Sequence, residues 1–231
     1  RLVLWRALDV RTEGVGFVPP IGPVLIASRH YHHLYDACVF LATLSRPLSF
    51  VVALDWVDHL ALRRLMEWAC HTARWPVLLR SEALLDSGAR RNNRRSAYHA
   101  TEALAYLRRA VAETVALLVK GSAVVVFPEG YPNIDPVYRT KGLTASSFMP
   151  FRPGFVKFVL LAERAVGYPI PILPAGLHYS FMRGRTVVGL RFGEPQYVPA
   201  VLHHCGRIEQ AEIVRQFINA IESEVQTLSH S

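Results

Sequence analysis

Short apolar runs alternate along the chain with longer segments whose apolar residues recur every three or four positions. Val24-Leu25-Ile26-Ala27 is such a run, bounded upstream by Pro19-Pro20-Ile21-Gly22-Pro23, and it reads as a buried strand. From His33 to Ser45, the positions Leu34, Ala37, Cys38, Leu41 and Leu44 have helical spacing, and Pro47 ends the helix. Phe50-Val51-Val52-Ala53-Leu54 predicts a second strand, and Asp55 is placed to cap a helix over 56–73. Trp75-Pro76-Val77-Leu78-Leu79-Arg80 predicts a short third strand ending in a cation.

A basic loop follows at 87–95, with Arg90, Arg91, Arg94 and Arg95, and then a long helix over 96–119. Its stripe of Leu104, Leu107, Val111, Val115 and Leu118 buries one face, and Lys120-Gly121 closes it. Ala123-Val124-Val125-Val126-Phe127 is the clearest strand, and a long loop runs from 132 to 151. Pro153 starts a further amphipathic helix that Gly167 ends. The three prolines of Pro169-Ile170-Pro171-Ile172-Leu173-Pro174 place that run at a sheet position with few ladder bonds, or past the sheet. Thr186–Phe192 predicts a strand, and 208–228 a last helix with Val214, Phe217, Ile218, Ile221, Val225 and Leu228 on one face. Residues 1–23 read as a short amphipathic opening, Leu2-Val3-Leu4-Trp5, and a Gly/Pro-rich connector. Strands and helices alternate without a linker or repeat, so the expectation is a single α/β domain over 1–231 with a mostly parallel sheet.

Composition narrows the function classes only a little. Hydrophobic residues make up 51% and charged residues 19% of the 231, which supports a sizeable core and excludes a disordered chain. A formal net charge of +8 favours an anionic partner. Cys38, Cys70 and Cys205 are odd in number and far apart, against a disulfide framework and in keeping with a reducing compartment. No apolar run reaches the length of a transmembrane helix.

The chemistry gathers at two strand exits. His30, His32, His33 and Asp36 follow the first strand, and Glu129-Gly130 follows the strand of 123–127. In a parallel sheet both exits face one edge, where α/β folds bind ligands. Imidazole accepts a proton near physiological pH, and an adjacent carboxylate holds its tautomer. A base, a carboxylate, a glycine and the strand-ending Arg80 suit acyl transfer onto a hydroxyl.

These motifs resemble those of the glycerolipid acyltransferase family, the lysophosphatidate acyltransferase (PlsC-like) superfamily. The resemblance runs over roughly residues 20 to 180. It rests on Gly22-Pro23-Val24 leading to His30 and Asp36, on Leu78-Leu79-Arg80, and on Val126-Phe127-Pro128-Glu129-Gly130. Phe151-Arg152-Pro153-Gly154 and the proline-rich run after 168 complete it, all in the family's order. It implies an O-acyltransferase that moves a fatty acyl group from acyl-CoA or acyl-carrier protein, as co-substrate, to a hydroxyl of a lysophospholipid or other lipid. It implies no metal and no further cofactor. His30 would be the general base and Asp36 its partner; Glu129 and Gly130 would bind the acceptor, with Arg80 as the anionic contact.

Two departures stand out. The family spaces its histidine and aspartate by four residues, which would put Tyr31 at the histidine position. Register from the strand selects His30 with one inserted residue, and His32, four before Asp36, is the second candidate. The family's Thr-Arg after Glu-Gly is Tyr131-Pro132 here, so either Arg80, Arg139, Lys141 or Arg152 replaces that arginine or the acceptor carries a different headgroup.

The expected partners are thus a lipid acceptor, an acyl carrier and a membrane surface met peripherally on its cytoplasmic face, or through an anchor upstream of Arg1. Leu2, Leu4, Trp5 and the arginines of 90–95 are the candidate docking groups. Nucleic acid is not expected, because no recognition signature accompanies the basic loop. The rival readings are a non-catalytic lipid-binding relative and a metal-dependent hydrolase built on His30, His32, His33 and Asp36. The hydrolase phrase would need an aspartate where Leu34 stands.

Overall fold

The computed structural model describes residues 8–85, 95–135, 137, 148–182, 185–203 and 206–230. In chain order the strands are β1 (Leu8–Glu13), β2 (Val24–Ser28), β3 (Leu48–Phe50), β4 (Val52–Ala53), β5 (Val77–Leu78), β6 (Ala123–Val126), β7 (Ile172–Met182) and β8 (Arg185–Phe192). The helices are α1 (Tyr35–Thr43), α2 (Leu60–Ala73), α3 (Ser81–Leu85), α4 (Ala103–Val119), α5 (Gly154–Val166) and α6 (Arg207–His230).

The main sheet has the order β1-β8-β7-β2-β6-β3. Every neighbouring pair is parallel except β7 and β8, which form an antiparallel hairpin. The fold is therefore α/β with a mostly parallel sheet flanked by helices. β2 and β6 lie inside it with every residue buried, and strands covered on both faces need continuous apolar sequence. Alternate residues then serve opposite faces. Leu25, Ala27, Val124 and Val126 pack with Leu118 of α4, Phe155 and Val159 of α5, and Ile221 and Val225 of α6. Val24, Ile26, Ala123 and Val125 pack on the other side with Val39 and Phe40 of α1 and with Leu173, Leu177 and Leu190. A smaller core of Leu54, Val57, Cys70, Leu79 and Tyr98 seats α2 beside β4 and β5.

Several expectations are corrected. The connector over 1–23 contains β1, whose Leu8, Val10 and Thr12 alternate with charged residues as an edge strand does. The strand expected at 50–54 is split: Leu48–Phe50 joins the main sheet, and β4 leaves it to pair with β5 in a separate two-stranded sheet. The long helix begins at Ala103, after a 3-10 turn over Ala100–Glu102, and not at 96. The proline-rich run opens the longest strand of the sheet, paired with β2 and β8. Pro174 is tolerated because the ladder with β8 stops at Ala175↔Phe192; beyond it Pro174 offers only its carbonyl, which accepts the Gly193 N–H at 2.9 Å. Asp55 does not cap α2. His59 does, through its ring nitrogen, and Asp55 is buried against Arg80.

Leu2, Leu4, Trp5, Arg90, Arg91, Arg94, Arg139, Lys141 and Cys205 lie outside the described residues. Arg95 is described and exposed.

Candidate active site

β2 delivers His30 to the carboxyl edge of the sheet, and the next six residues fold around a carboxylate. His30 Nδ1 lies 2.8 Å from Asp36 Oδ2. The same oxygen accepts the N–H groups of Tyr31 at 2.7 Å and His32 at 3.0 Å. Oδ1 accepts the Tyr179 hydroxyl at 2.7 Å. A buried carboxylate is costly unless its lone pairs are met, and Asp36, 1% exposed, has four donors on its two oxygens. It also stands in the first turn of α1, where the helix dipole favours negative charge.

This geometry separates the two histidine candidates. With Nδ1 donating to Asp36, the basic lone pair of His30 is on Nε2. Its ring stacks on Phe127, centroids 4.2 Å apart and planes inclined by 15°. The His32 ring is turned to another task. Its Nδ1 accepts the N–H groups of Leu34 at 3.2 Å and Tyr35 at 3.3 Å, capping α1, so its neutral form carries the proton on Nε2. Burial, then the neighbouring His33, push its pKa below the ordinary imidazole value. His33 directs Nδ1 at the Ile134 carbonyl. The three rings therefore face three different partners, and among the described residues no three His, Cys, Asp or Glu side chains are arranged to hold a metal ion.

The second strand exit closes on the first. Glu129, fully buried, accepts the His30 N–H through Oε1 at 3.0 Å and the Met149 N–H through Oε2 at 2.9 Å. The loops also pair by backbone, Ile134 N–H to the Tyr31 carbonyl at 2.8 Å and Asn133 N–H to that of His30 at 3.2 Å. Gly130 has φ +79°, a left-handed conformation that suits glycine, and a Cβ there would lie 3.2 Å from Arg152 Nε. Its carbonyl accepts from Arg80 Nη1 at 2.5 Å. Arg80 is itself clamped by Asp55, Nε to Oδ1 at 3.0 Å and Nη2 to Oδ2 at 2.7 Å, and it lies 3.9 Å over the Tyr131 ring. Burial pushes the Tyr131 phenol up to about 12, so the ring stays neutral beneath the guanidinium. Arg152 is half-exposed at the rim, 2.6 Å from Glu82 and 5.8 Å from the Tyr131 ring.

His30, Asp36 and Glu129 are thus joined directly, Gly130 follows Glu129 in the same loop, and Arg80, just past β5, holds its carbonyl. Arg152 stands at its edge, and His32 points elsewhere. Two further residues belong to the site and were not expected there. Tyr179 lies 143 positions from Asp36, and nothing around it in sequence points to that carboxylate. Arg29, 1% exposed, sits 4.2 Å over the Phe148 ring and 5.1 Å from that of Tyr31. Burial lowers its pKa, and the charges of Glu129 and Asp36 oppose that shift. An arginine at the end of an apolar strand, beside the candidate base, was the available hint.

A family model described as Acyltransferase matches residues 9–178. Among solved structures the chain is similar to the 1-acyl-sn-glycerophosphate (LPA) acyltransferase PlsC from Thermotoga maritima. The TM-score is 0.52 and the identity 16%, over 96% of this chain and 73% of that one. At that identity the likeness is one of fold. No curated protein matches the chain.

Proposed function

The chain belongs to the acyltransferase family, and on that footing we propose that it moves a fatty acyl group from acyl-CoA or acyl-carrier protein to a hydroxyl of a lysophospholipid or related lipid at a membrane surface. The observation that carries this reading is the His30–Asp36 contact of 2.8 Å, which leaves the imidazole lone pair on the side away from the carboxylate.

In this reading His30 Nε2 removes the acceptor's hydroxyl proton as the oxygen attacks the thioester carbonyl. The tetrahedral intermediate collapses with loss of the thiolate, which takes the proton from the imidazolium and leaves as a thiol. Asp36 stabilises the imidazolium and keeps the ring in register. Glu129 acts on the base through its backbone, by fixing the His30 N–H. Arg80 holds Gly130, and the half-exposed Arg152 beside that glycine is the contact for an anionic headgroup.

The test is purified protein incubated with acyl-CoA or acyl-carrier protein and a panel of lyso-acceptors, with products read by mass spectrometry. Acyl transfer that falls about 10²–10⁴-fold in a folded His30→Ala variant is the expected result. Transfer that survives His30→Ala and is lost in His32→Asn would reassign the base. Absence of product with every donor and acceptor would remove the reading.

A further inference from the structure

α2 presents to solvent an apolar face that its packing leaves uncovered. Ala61, Leu65, Trp68 and Thr72 succeed one another by four, three and four residues, which places them on one side of a helix. Leu65 is 55% and Trp68 65% exposed, and Leu60, at the amino end, 65%. The opposite side is already spent on the fold: Leu62, Met66 and Cys70 pack with Leu54, Val57 and Leu79. The helix is thus apolar on two sides, and only one of them is needed by the core.

The formal charges beside the open face, within α2 and at its carboxyl end, are of one sign, and the exposed Asp58 stands two residues before its start. Arg64 and His71 flank it, and Arg74 ends the helix; all three are exposed. Glu67, the helix's carboxylate, is turned to the inner network, accepting from Arg63 Nε at 3.1 Å and the Tyr106 hydroxyl at 2.5 Å. Scattered exposed apolar residues are ordinary on a protein surface. A tryptophan and leucines between cations on one 14-residue helix make the composition of a helix that lies in a lipid interface. The net charge of +8 acts in the same direction. α2 also begins five residues after Asp55, which clamps Arg80, and Arg80 in turn donates to the Gly130 carbonyl of the candidate site.

We propose that this face of α2 docks the protein on an anionic phospholipid bilayer, with Leu65 and Trp68 entering the headgroup region and Arg64, His71 and Arg74 facing lipid phosphates. The proposal deepens the reading above and rests on its lipid acceptor. It assigns the docking surface to a helix that sequence reasoning placed in the fold and gave no task.

The experiment is cosedimentation of the full chain with phosphatidylcholine vesicles, with and without phosphatidylglycerol, for wild type and for Leu65→Asp/Trp68→Asp and Arg64→Glu. Wild type should bind the anionic vesicles, less so as salt rises, and the double variant should lose about tenfold in partition. Arg64→Glu should lower binding at low salt only. A blue shift of tryptophan emission on vesicle addition, present in wild type and reduced in Trp68→Phe, would place that ring in the interface without disturbing the fold. Wild-type sedimentation by the double variant overturns the proposal. So does a wild-type dimer that the double variant splits with no change in vesicle binding, since a second copy would then cover the face. Turnover of a short-chain acceptor in monomeric solution should be kept by both charged variants. Vesicle binding that depends on Leu65 and Trp68, in a protein that transfers acyl groups to no acceptor, would uphold the docking surface and remove the catalytic reading alone.

Discussion

The phenol of Tyr179 donates to Asp36 Oδ1 at 2.7 Å while the other oxygen of that carboxylate holds the His30 ring, so β7 reaches the candidate base through one intermediary. Burial, then the charge of Asp36, push the Tyr179 pKa upward, and the phenol stays protonated as a donor. Its ring is stacked against Tyr31, centroids 4.7 Å apart and planes nearly parallel at 13°. Removing the hydroxyl leaves the ring in place and one carboxylate oxygen short of a partner. A hydrogen bond to a charged group contributes about 1.5–3 kcal/mol. Tyr179→Phe is therefore expected to lower kcat about tenfold with a small fall in Tm, read by steady-state acyl transfer and thermal unfolding. Unchanged kcat would mean that the Tyr31 and His32 N–H groups suffice to hold Asp36.

His32 gives the fold a dependence on acid. Its pKa lies below the ordinary value of 6.5 because burial, then His33, disfavour the cation, and its Nδ1 accepts the N–H groups of Leu34 and Tyr35. Below that value the unfolded chain binds a proton that the folded chain does not yet bind, so stability falls as pH drops through this window. Asparagine keeps an acceptor for the cap and cannot take the proton. Urea midpoints for His32→Asn should match wild type near about pH 7.5 and decline less towards about pH 5.5. An identical decline in both proteins would place the acid-sensitive group elsewhere.

The Arg80–Asp55 pair, 6% and 0% exposed, is a second point of failure. Breaking a buried pair from one side strands the other charge, at a cost of about 3–5 kcal/mol. Asp55→Asn keeps some of the hydrogen bonding, so a loss near about 3 kcal/mol is expected in denaturant unfolding. The Gly130 carbonyl should lose its fixed donor as well, and the acceptor KM should rise. A loss below about 1 kcal/mol, with KM unchanged, would show that water or a neighbour replaces the carboxylate.

Gly176 sits where β7 runs under α6, and a Cβ there would collide with the backbone of Leu228. Gly176→Ala should force the helix away from the sheet and lower stability by about 1–3 kcal/mol, measured by urea unfolding. Wild-type stability in that variant would mean that α6 can shift without loss of packing.

Some of this protein is determined by the sequence alone. β2 and β6 are legible because a strand covered on both faces must be apolar throughout, and α4, α5 and α6 because burying one face imposes a spacing of three and four. The meeting of His30 with Glu129 also follows, since parallel strands send both exits to one edge. These are consequences of local periodicity and of topology. The rest was decided by partners distant in sequence. β1 exists because β8 lies beside it, and Pro174 does not break β7, where Ala27 pairs with Pro174 on one side and Phe192 with Ala175 on the other. Asp55 reads locally as a cap and becomes a counter-ion because Arg80, 25 residues on, is buried against it. Spacing alone left His30 and His32 open. The tertiary fold turned one lone pair into a helix cap and one N–H towards Asp36, and a tyrosine 143 residues away completed that carboxylate's hydrogen bonding.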